Sequence, residues 1–475
     1  MTITTPGVVP ASILVRDGKP GWLRDWVRFA AGTRFADLSP DAAERAVLVL
    51  LDCLGVIGSG MAEPEMRALA SRMVSLGGDG PAPLIGTRFR AAPGTAAFVN
   101  GTAGTMLELD EGNQYSRGHP AIHVVPAALA AAARTGSSGA ELLRAVALGY
   151  EIGARIGIAS RLRVSMHPHG TWGVVGAALA VGLLEGADED QLAELVNVSS
   201  SLALATSRRT MLEGGTVRNS YAGFANQLGL QAWEMVAAGF VGEADGIGTV
   251  YGGGSEGGIV ADGFDPTLMT EALGTRWEIA RNYFKRHAAC RYTHGALDAL
   301  ALIIAHTGPL DPAAVAAMEV DTYVWAAQLD HPAPRNMLAA KFSLPFAMAT
   351  AVVNGAATVP AFRAPALADE KTRALAARVS VREDPALTAM LPGLRPARLL
   401  VRMTDGTEHR AEVTTNRGDT EAPYGSDEVS AKFHELADPV WGAAAAARLR
   451  DAVSRLPHAA STAELDRLLN TEFTT

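Results

Sequence analysis

The sequence has few cysteines and few lysines, and both shortages limit what the chain can be. Two cysteines among 475 residues, Cys53 and Cys290, cannot form a disulfide framework or a cysteine-based zinc site. Only five lysines occur, so arginine supplies most of the positive charge. Because lysine has a titratable amine that arginine lacks, a lysine in an apolar or glycine-rich context is a candidate for a functional role.

The chain also lacks a surplus of positive charge and an apolar run long enough to span a membrane. Its formal net charge is −9, which argues against nucleic acid or an anionic membrane as the main partner. No uncharged apolar run reaches the roughly 18 residues that a membrane span requires. The N-terminal segment shows no secretory signal pattern. We therefore expect a cytoplasmic protein, in which a local basic pocket for an anionic substrate remains compatible with the overall acidity.

Length and composition predict a globular protein of two domains, since one ordinary hydrophobic core does not extend over 475 residues. Ser39 before Pro40 and the Ser138–Glu141 capping box predict two helix starts. Apolar patterns of helical type dominate the chain up to about residue 280, and the many alanines and glycines predict closely packed helices. These patterns cover residues 42–60, 123–134, 142–159, 171–184, 188–204 and 222–238.

The pattern changes after residue 280. Residues 316–324, 397–403 and 408–413 read as strands, and Asp405-Gly406 between the last two predicts a hairpin. Residues 344–353 read as a helix, and helical patterning returns from Ser426 onward. We predict a mostly α fold with a large all-α domain from residues 1–279 and 415–475. A smaller α+β domain, residues 280–414, is inserted between these two parts.

Ionisable residues are concentrated in a short stretch of the helical region. Glu108, Asp110 and Glu111 precede His119, which lies at a turn before an apolar helix. Burying an ionisable group without a partner costs several kcal/mol or shifts its pKa. A cluster of such groups in an apolar region predicts a polar site, and acid/base chemistry is its leading use.

A second histidine turn lies near residue 170. His167 and His169 flank Pro168, just before Gly170 and Thr171, where an apolar helix is predicted to begin. Free backbone N–H groups and the positive end of the helix dipole favour a carboxylate or phosphate at such a helix start. We therefore predict that Gly170 and Thr171 contribute to substrate binding.

Cations in two further segments are candidates for binding carboxylates. Arg218 precedes a helix rich in small residues and is a candidate carboxylate clamp. The densest cluster, residues 284–294, includes Lys285, Arg291 and His294, together with Cys290, for which no activating base is evident. For Lys341, at the start of an apolar helix, we favour a structural role.

The sequence gives no indication of a metal or an organic cofactor. It contains no HExxH motif, so we expect no metal site. The glycine-rich stretch 251–258 reads as a loop, without a preceding strand or GxGxxG spacing, so a dinucleotide site is disfavoured. We expect no cofactor.

Several short motifs, in this order along most of the chain, resemble the MmgE/PrpD family, which includes 2-methylcitrate dehydratase, cis-aconitate decarboxylase and iminodisuccinate epimerase. The resemblance implies a homodimer whose subunits have an all-α domain made from both chain ends and an inserted α+β lid. The matching landmarks are Asn100-Gly101, 107–111, His119-Pro120, 149–151, His167 with 170–173, Phe284-Lys285 with 292–294, and 340–345.

The resemblance also implies roles for individual residues. The implied active-site residues are Glu108 in place of the usual aspartate, Asp110, His119, His167, Arg218 in place of a lysine, and Lys285 from the lid. The decarboxylase has a histidine where this chain has Cys290, and its lid tyrosine would fall near Gln328 without a clear equivalent. These departures disfavour cis-aconitate decarboxylase itself.

The reactions of that family share a step at carbon α to a carboxylate, which requires proton transfer and neutralisation of carboxylate charge. We hypothesise that His119 and His167 transfer protons and that Glu108 or Asp110 orients a histidine or binds a substrate hydroxyl. Lys285 would neutralise a carboxylate or protonate the leaving hydroxyl. A dehydratase of a β-hydroxy di- or tricarboxylate is the leading function. An epimerase of a substituted dicarboxylate, a decarboxylase and a non-catalytic carboxylate-binding protein are the alternatives.

Overall fold

A computed structural model describes residues 18–252 and 257–471. Residues 1–17 lie outside the described residues, and they make up most of the N-terminal segment that shows no signal pattern. Residues 253–256 of the predicted glycine-rich loop also lie outside them. Within the described ranges the chain is mostly α-helical, as predicted. The first part contains helices α1 (Gly21–Gly32), α2 (Pro40–Met61), α3 (Pro64–Gly77), α4 (Pro93–Thr105), α5 (Pro120–Thr135), α6 (Gly139–Ala159), α7 (Gly173–Leu184), α8 (Glu189–Ser200), α9 (Arg208–Leu212), α10 (Ser220–Ala237), α11 (Gly246–Tyr251) and α12 (Thr267–Thr270).

Both predicted helix starts are confirmed by their capping bonds. The Ser39 side chain accepts a hydrogen bond from the Ala42 amide at the start of α2. Ser138 and Glu141 form the reciprocal capping box at the start of α6. Each cap satisfies amides that have no partner within the helix, which is why these boundaries can be predicted locally.

Helix α7 lies at the centre of the helical region, and all of its residues are buried. It packs against α5, α6, α8 and α10. The contact with α6 depends on glycine, because a Cβ atom added to Gly149 would lie 2.6 Å from the carbonyl oxygen of Gly176. The predicted close approach of the helices is thereby confirmed.

A four-stranded sheet occupies the region in which strands were predicted. Its order is β10-β9-β7-β8, with β8 parallel to β7 and β9 antiparallel to both β7 and β10. The predicted hairpin at Asp405-Gly406 joins β9 and β10. Strand β8 was not predicted. The strands are β1 (Ala82–Pro83), β2 (Arg90–Ala91), β3 (Gly112–Asn113), β4 (Ser160–Leu162), β5 (Ala261–Phe264), β6 (Asn282–Tyr283), β7 (Val315–Thr322), β8 (Val379–Glu383), β9 (Ala397–Met403) and β10 (Glu408–Val413).

Helices in this region pack beside the sheet, and α13 contacts β9 and β10. The short pair β3·β6 joins residues 282–283, at the predicted start of the inserted domain, to the helical region. The domain boundaries themselves stay a prediction. The helices are α13 (His294–Thr307), α14 (Val324–Ala327), α15 (Met337–Lys341), α16 (Leu344–Asn354), α17 (Ala364–Ala368), α18 (Glu370–Ala376) and α19 (Pro385–Thr388).

The C-terminal helices α20 (Ser426–Trp441), α21 (Ala443–Arg455) and α22 (Ala463–Leu469) return to the first part of the chain. Helix α20 packs along α2, where Lys432 Nζ lies 2.6 Å from Asp52 Oδ1 and both side chains are buried. The two ends of the chain therefore contribute to one helical assembly.

In residues 18–252 and 257–471, no single helix has both the length and the apolar composition to cross a membrane. Taken together, helices α2 and α3 have the length and apolar composition of a membrane span, but the chain bends by 90° at the break between them. This likeness rests on length and composition only.

Candidate active site

The acidic segment after helix α4 forms a turn with an unusual backbone. Glu108 has a φ of 54°, in the left-handed region that non-glycine residues seldom adopt. Such backbone conformations persist where surrounding contacts fix them, and they often occur at functional sites. Three buried lysines donate hydrogen bonds to main-chain carbonyls of this turn: Lys341 to Met106 at 2.9 Å, Lys285 to Glu108 at 2.9 Å and Lys432 to Leu109 at 2.7 Å.

The Glu108 carboxylate is buried and paired with two cations. Arg218 Nη1 forms an ion pair with Glu108 Oε1, and Lys285 Nζ lies 3.7 Å from Oε2. The turn thus holds the carboxylate at the wall of a cavity, next to a guanidinium from the segment before α10. The sequence predicted these three residues as parts of one site, and the structure brings them together.

Asp110 and His119 form a close carboxylate–imidazole pair beside the Glu111 carbonyl. His119 Nδ1 lies 3.2 Å from Asp110 Oδ2 and 2.7 Å from the carbonyl oxygen of Glu111. Both partners are acceptors, so the hydrogen-bond network assigns the ring proton to Nδ1. Nε2 then carries the lone pair, and in the described part of the chain it has no hydrogen-bond partner. His119 lines the cavity.

The charges around this pair fix its protonation state. Burial by itself raises the pKa of Asp110, but the positive charges near it, including Lys285 Nζ at 3.3 Å, outweigh burial and lower that pKa. Burial lowers the pKa of His119 to about 4, although Asp110 opposes the shift. At neutral pH the pair is therefore an aspartate beside a neutral imidazole.

His167 also lines the cavity, but N–H donors face both of its ring nitrogens. The His169 amide donates to Nδ1 at 3.1 Å, and Arg218 Nε points at Nε2 from 3.3 Å. Burial and the charge of Arg218 together lower the pKa of His167 well below its usual value. His167 is therefore less suited than His119 to accept a proton while Arg218 keeps this position.

His169 lies at the centre of a histidine cluster. Its ring centroid is 4.8 Å from that of His119, 4.8 Å from that of His123 and 4.9 Å from that of His167. Of these, His123 has a partner for each ring nitrogen: Nδ1 contacts the His119 carbonyl at 2.8 Å and Nε2 accepts from the Gly170 amide at 3.2 Å. His123 therefore has a structural role.

The predicted anion site at Gly170 and Thr171 is not formed. Helix α7 begins at Gly173, two residues later than predicted. The Gly170 amide donates to His123, the Thr171 amide donates to the Pro168 carbonyl, and neither residue lines the cavity. Because protein acceptors already use these amides, they are not available to a substrate here.

The residues predicted in the 284–294 cluster lie at different depths. Arg291 lines the cavity and pairs with buried Asp419, and its Nη1 lies 3.0 Å from His294 Nδ1. His294 is buried behind Arg291 and does not reach the cavity. The ammonium of Lys285 lies beneath the Glu108 turn, so the structure does not support donation from it to a leaving hydroxyl. Cys290 lines the cavity, and burial raises the pKa of its thiol to about 11.

Arginine dominates the cavity wall more than the sequence indicated. Arg218 and Arg291 were predicted, whereas Arg117, Arg208 and Arg395 were not. Arg117 stands two residues before His119, which was the one available signal. The full lining comprises Glu108, Arg117, His119, Met166, His167, Pro168, His169, Arg208, Met211, Arg218, Tyr283, Cys290, Arg291, Tyr292, Phe342 and Arg395.

Three potential metal ligands meet in this cluster, which sequence spacing did not reveal. Ligand atoms of Asp110, His119 and His169 lie within 4.8 Å of one another. However, Lys285 Nζ is 3.3 Å from Asp110 Oδ1, and Arg218 Nη2 is 3.3 Å from His169 Nε2. Cations this close to the ligand atoms disfavour a metal ion by charge repulsion.

Comparison with known proteins agrees with the motif resemblance over most of the chain. The MmgE/PrpD N-terminal domain matches residues 24–255, and the MmgE/PrpD C-terminal domain matches residues 287–458. The chain belongs to the MmgE/PrpD family. The Glu108 turn and the histidine cluster fall within the N-terminal match, and two of the three lysines that bind the turn, Lys341 and Lys432, fall within the C-terminal match.

Two relatives within the MmgE/PrpD family match nearly the whole chain. A cis-aconitate decarboxylase-like protein, oryM, from Aspergillus oryzae is 26% identical over 464 residues, which cover 92% of this chain and 95% of that protein. The cis-aconitate decarboxylase of Mus musculus is 23% identical over 462 residues, covering 92% and 91% respectively. These matches support an enzyme of the lyase type.

Proposed function

We propose that the chain is a cofactor-independent dehydratase of a β-hydroxy di- or tricarboxylate. The observation that carries this proposal is the Asp110–His119 pair, which presents an unprotonated Nε2 in a cavity lined by arginines. The base and the cations of one cavity match the two requirements of proton removal at carbon α to a carboxylate.

In this proposal His119 removes the α-proton. The Glu111 carbonyl accepts from Nδ1–H, and the nearby Asp110 carboxylate stabilises the imidazolium that forms, as a carboxylate does in other acid/base pairs. The low pKa of His119 is set by burial and by the charges of neighbouring protein groups. Carboxylates of a bound substrate would raise that pKa toward neutrality, because they favour the charged imidazolium. Substrate binding would therefore strengthen the base.

Arginines would hold the charge that develops on the carboxylate as the α-proton leaves. Arg218 and Arg291 are fixed by Glu108 and Asp419 respectively, so they need little reorganisation during the reaction. The leaving hydroxyl also requires a proton. Burial raises the pKa of Tyr283 well above its usual value, so its phenol is protonated and can donate. The Tyr283 ring contacts that of His119 edge to face, with centroids 6.3 Å apart.

The proposal is tested with a panel of hydroxy and unsaturated di- and tricarboxylates, followed by proton NMR in D₂O. Formation of an alkene from a hydroxy acid supports the dehydratase. Deuterium uptake into recovered substrate without alkene indicates an epimerase instead. Saturable binding without turnover of any acid would reject catalysis.

The base is tested with His119→Asn, for which we expect turnover to fall by about 10²- to 10⁴-fold, the usual contribution of general acid/base catalysis. His306→Asn, on the exposed end of α13, is the matched control. Near-normal turnover by the His119 variant would exclude it as the base.

A decarboxylase is the second candidate, because both relatives are named for cis-aconitate decarboxylase and match the chain nearly end to end. The same arginines would hold an unsaturated tricarboxylate, and the protonated Tyr283 phenol would supply the proton that replaces CO₂ at carbon. Release of CO₂ from such an acid, without net water loss, would support this reaction over dehydration.

A further inference from the structure

Arg208 differs from the other arginines that line the cavity. In residues 18–252 and 257–471, its Nε and Nη2 atoms are buried and have no hydrogen-bond partner. The other four each donate from the side chain to a protein acceptor: Arg117 to the Gly157 carbonyl, Arg218 to His167 Nε2, Arg291 to Asp419 and Arg395 to the Gln114 carbonyl. Leaving buried charged donors unsatisfied is costly, so an anion that accepts from Arg208 would be bound favourably.

Arg395 faces the same aromatic ring as Arg208 and also has a free donor. The guanidinium carbons of Arg208 and Arg395 lie 5.9 Å and 5.4 Å from the centroid of Tyr292. Nε of Arg395, like that of Arg291, is buried without a hydrogen-bond partner in the described residues. Two guanidiniums with unused donors therefore flank one tyrosine. Arg218, by contrast, lies at the Glu108 turn beside His167.

The balance of charge points in the same direction. Arg218 and Arg291 have carboxylate partners in Glu108 and Asp419, so each of these charges is compensated. The described residues provide no carboxylate ion pair for the side chains of Arg117, Arg208 and Arg395. Three uncompensated cations at one cavity wall match a ligand that carries several carboxylates.

We propose that Arg208 and Arg395 form a second carboxylate subsite beside Tyr292. It binds a substrate carboxylate remote from the carbon at which His119 acts, and in this respect it rests on the proposed function. Arg208 is then a specificity-determining residue. The enzyme prefers acids with a distal carboxylate over shorter analogues that lack it.

The test measures binding of two acids that cannot be dehydrated because they lack a hydroxyl. Propane-1,2,3-tricarboxylate carries the distal carboxylate, and 2-methylsuccinate lacks one terminal carboxylate. Calorimetry with the wild-type protein should show tighter binding of the tricarboxylate. Arg208→Met should weaken tricarboxylate binding by about 10- to 100-fold, as expected for loss of a charge-assisted hydrogen bond. Binding of 2-methylsuccinate should change by less than about 3-fold, since nothing it carries reaches this subsite.

Arg209→Met is the matched control, because the neighbouring Arg209 is exposed and pairs with Glu213 outside the cavity. Arg208→Gln, which keeps a neutral donor, provides a second variant should Arg208→Met fold poorly, and we expect it to show the same selective loss. Equal weakening of both acids by the Arg208 variants, or unchanged binding of both, would overturn the subsite.

The binding assay separates this proposal from the proposed function. Selective loss of tricarboxylate binding without turnover of any hydroxy acid would retain the subsite and reject the dehydratase. Turnover of a tricarboxylate with unchanged KM and kcat in both Arg208 variants would retain the dehydratase and reject the subsite. If both hold, Arg208→Met should raise KM more than it lowers kcat.

Discussion

Lys341 Nζ donates to the main-chain carbonyl of Met106 at 2.9 Å, and the lysine side chain is fully buried. With Lys285 and Lys432 it forms a set of three lysine side chains around the turn that carries Glu108. These lysines come from distant parts of the chain and bind carbonyls rather than solvent. The left-handed backbone of Glu108 is thus fixed by contacts from outside the turn.

Lys341 should make stability depend on pH. Burial lowers its pKa to about 7, from 10.5 for an exposed lysine. Between these values the unfolded chain binds a proton that the folded chain does not, so the stability contributed by this group rises with pH by up to about 1.4 kcal/mol per unit. Below pH 7 both states are protonated and this dependence ends. The difference in unfolding free energy between wild type and Lys341→Met should therefore grow from pH 7 to 10.

Lys371→Met, at an exposed position, provides the control for that series and should follow the wild type. Parallel curves for wild type and Lys341→Met would show that the lysine titrates normally in the folded protein.

Lys432 should contribute strongly to stability. Its replacement by Met leaves the Asp52 carboxylate buried without its partner at 2.6 Å and removes the bond to the Leu109 carbonyl. Breaking a buried ion pair on one side costs about 3–5 kcal/mol, which urea unfolding at pH 7 can measure. The double variant Asp52→Asn/Lys432→Met should regain part of that loss. A single variant as stable as the wild type would show that the pair contributes little.

Asp110→Asn tests whether the charge of Asp110 supports His119 as the base. The amide lacks the negative charge that stabilises the imidazolium, so kcat should fall by about 10²- to 10⁴-fold while the fold is retained. Asp79→Asn, exposed and outside the site, should have no effect on kcat. If the Asp110 variant loses only substrate affinity, Asp110 does not act through the base.

The pH profile of kcat/KM should reflect His119 in the free enzyme. Because burial lowers the pKa of this imidazole to about 4, its unprotonated form persists as the pH falls below neutrality. We expect kcat/KM to fall on the acid side only near pH 4. There the plot of log kcat/KM against pH should have unit slope. Full recovery of activity on return to pH 7 distinguishes titration from unfolding. An acid limb near pH 6.5 would indicate a histidine with an unshifted pKa.

Local patterns predicted much of the fold, because the forces that fix these features act over a few residues. The Ser39 and Ser138 caps and the Asp405-Gly406 hairpin are examples. Strand β8 was missed because its five residues form a short, largely exposed strand whose partner, β7, lies far away in sequence. The start of α7 was predicted too early, because Pro168 and the left-handed Gly170 form a separate turn before the helix.

The site was predictable only in part, because it brings together residues that are far apart in sequence. Asp110, His119 and Arg218 stood out by type and context, and the shortage of lysines drew attention to Lys285 and Lys341. Arg208 and Arg395 gave no local signal, because an arginine in a polar segment resembles any surface cation. Only the folded chain shows that the donors of these two residues are buried at the cavity without partners.

The Glu108 turn also has a consequence for how the chain matures during synthesis. The ribosome completes the helices of the first part before it adds Lys432, which follows Leu109 by 323 residues. Until α20 docks on α2, the Leu109 carbonyl and Asp52 lack their shared partner. A nascent or truncated chain that has already folded its histidine cluster therefore still lacks one of the three contacts that fix the turn.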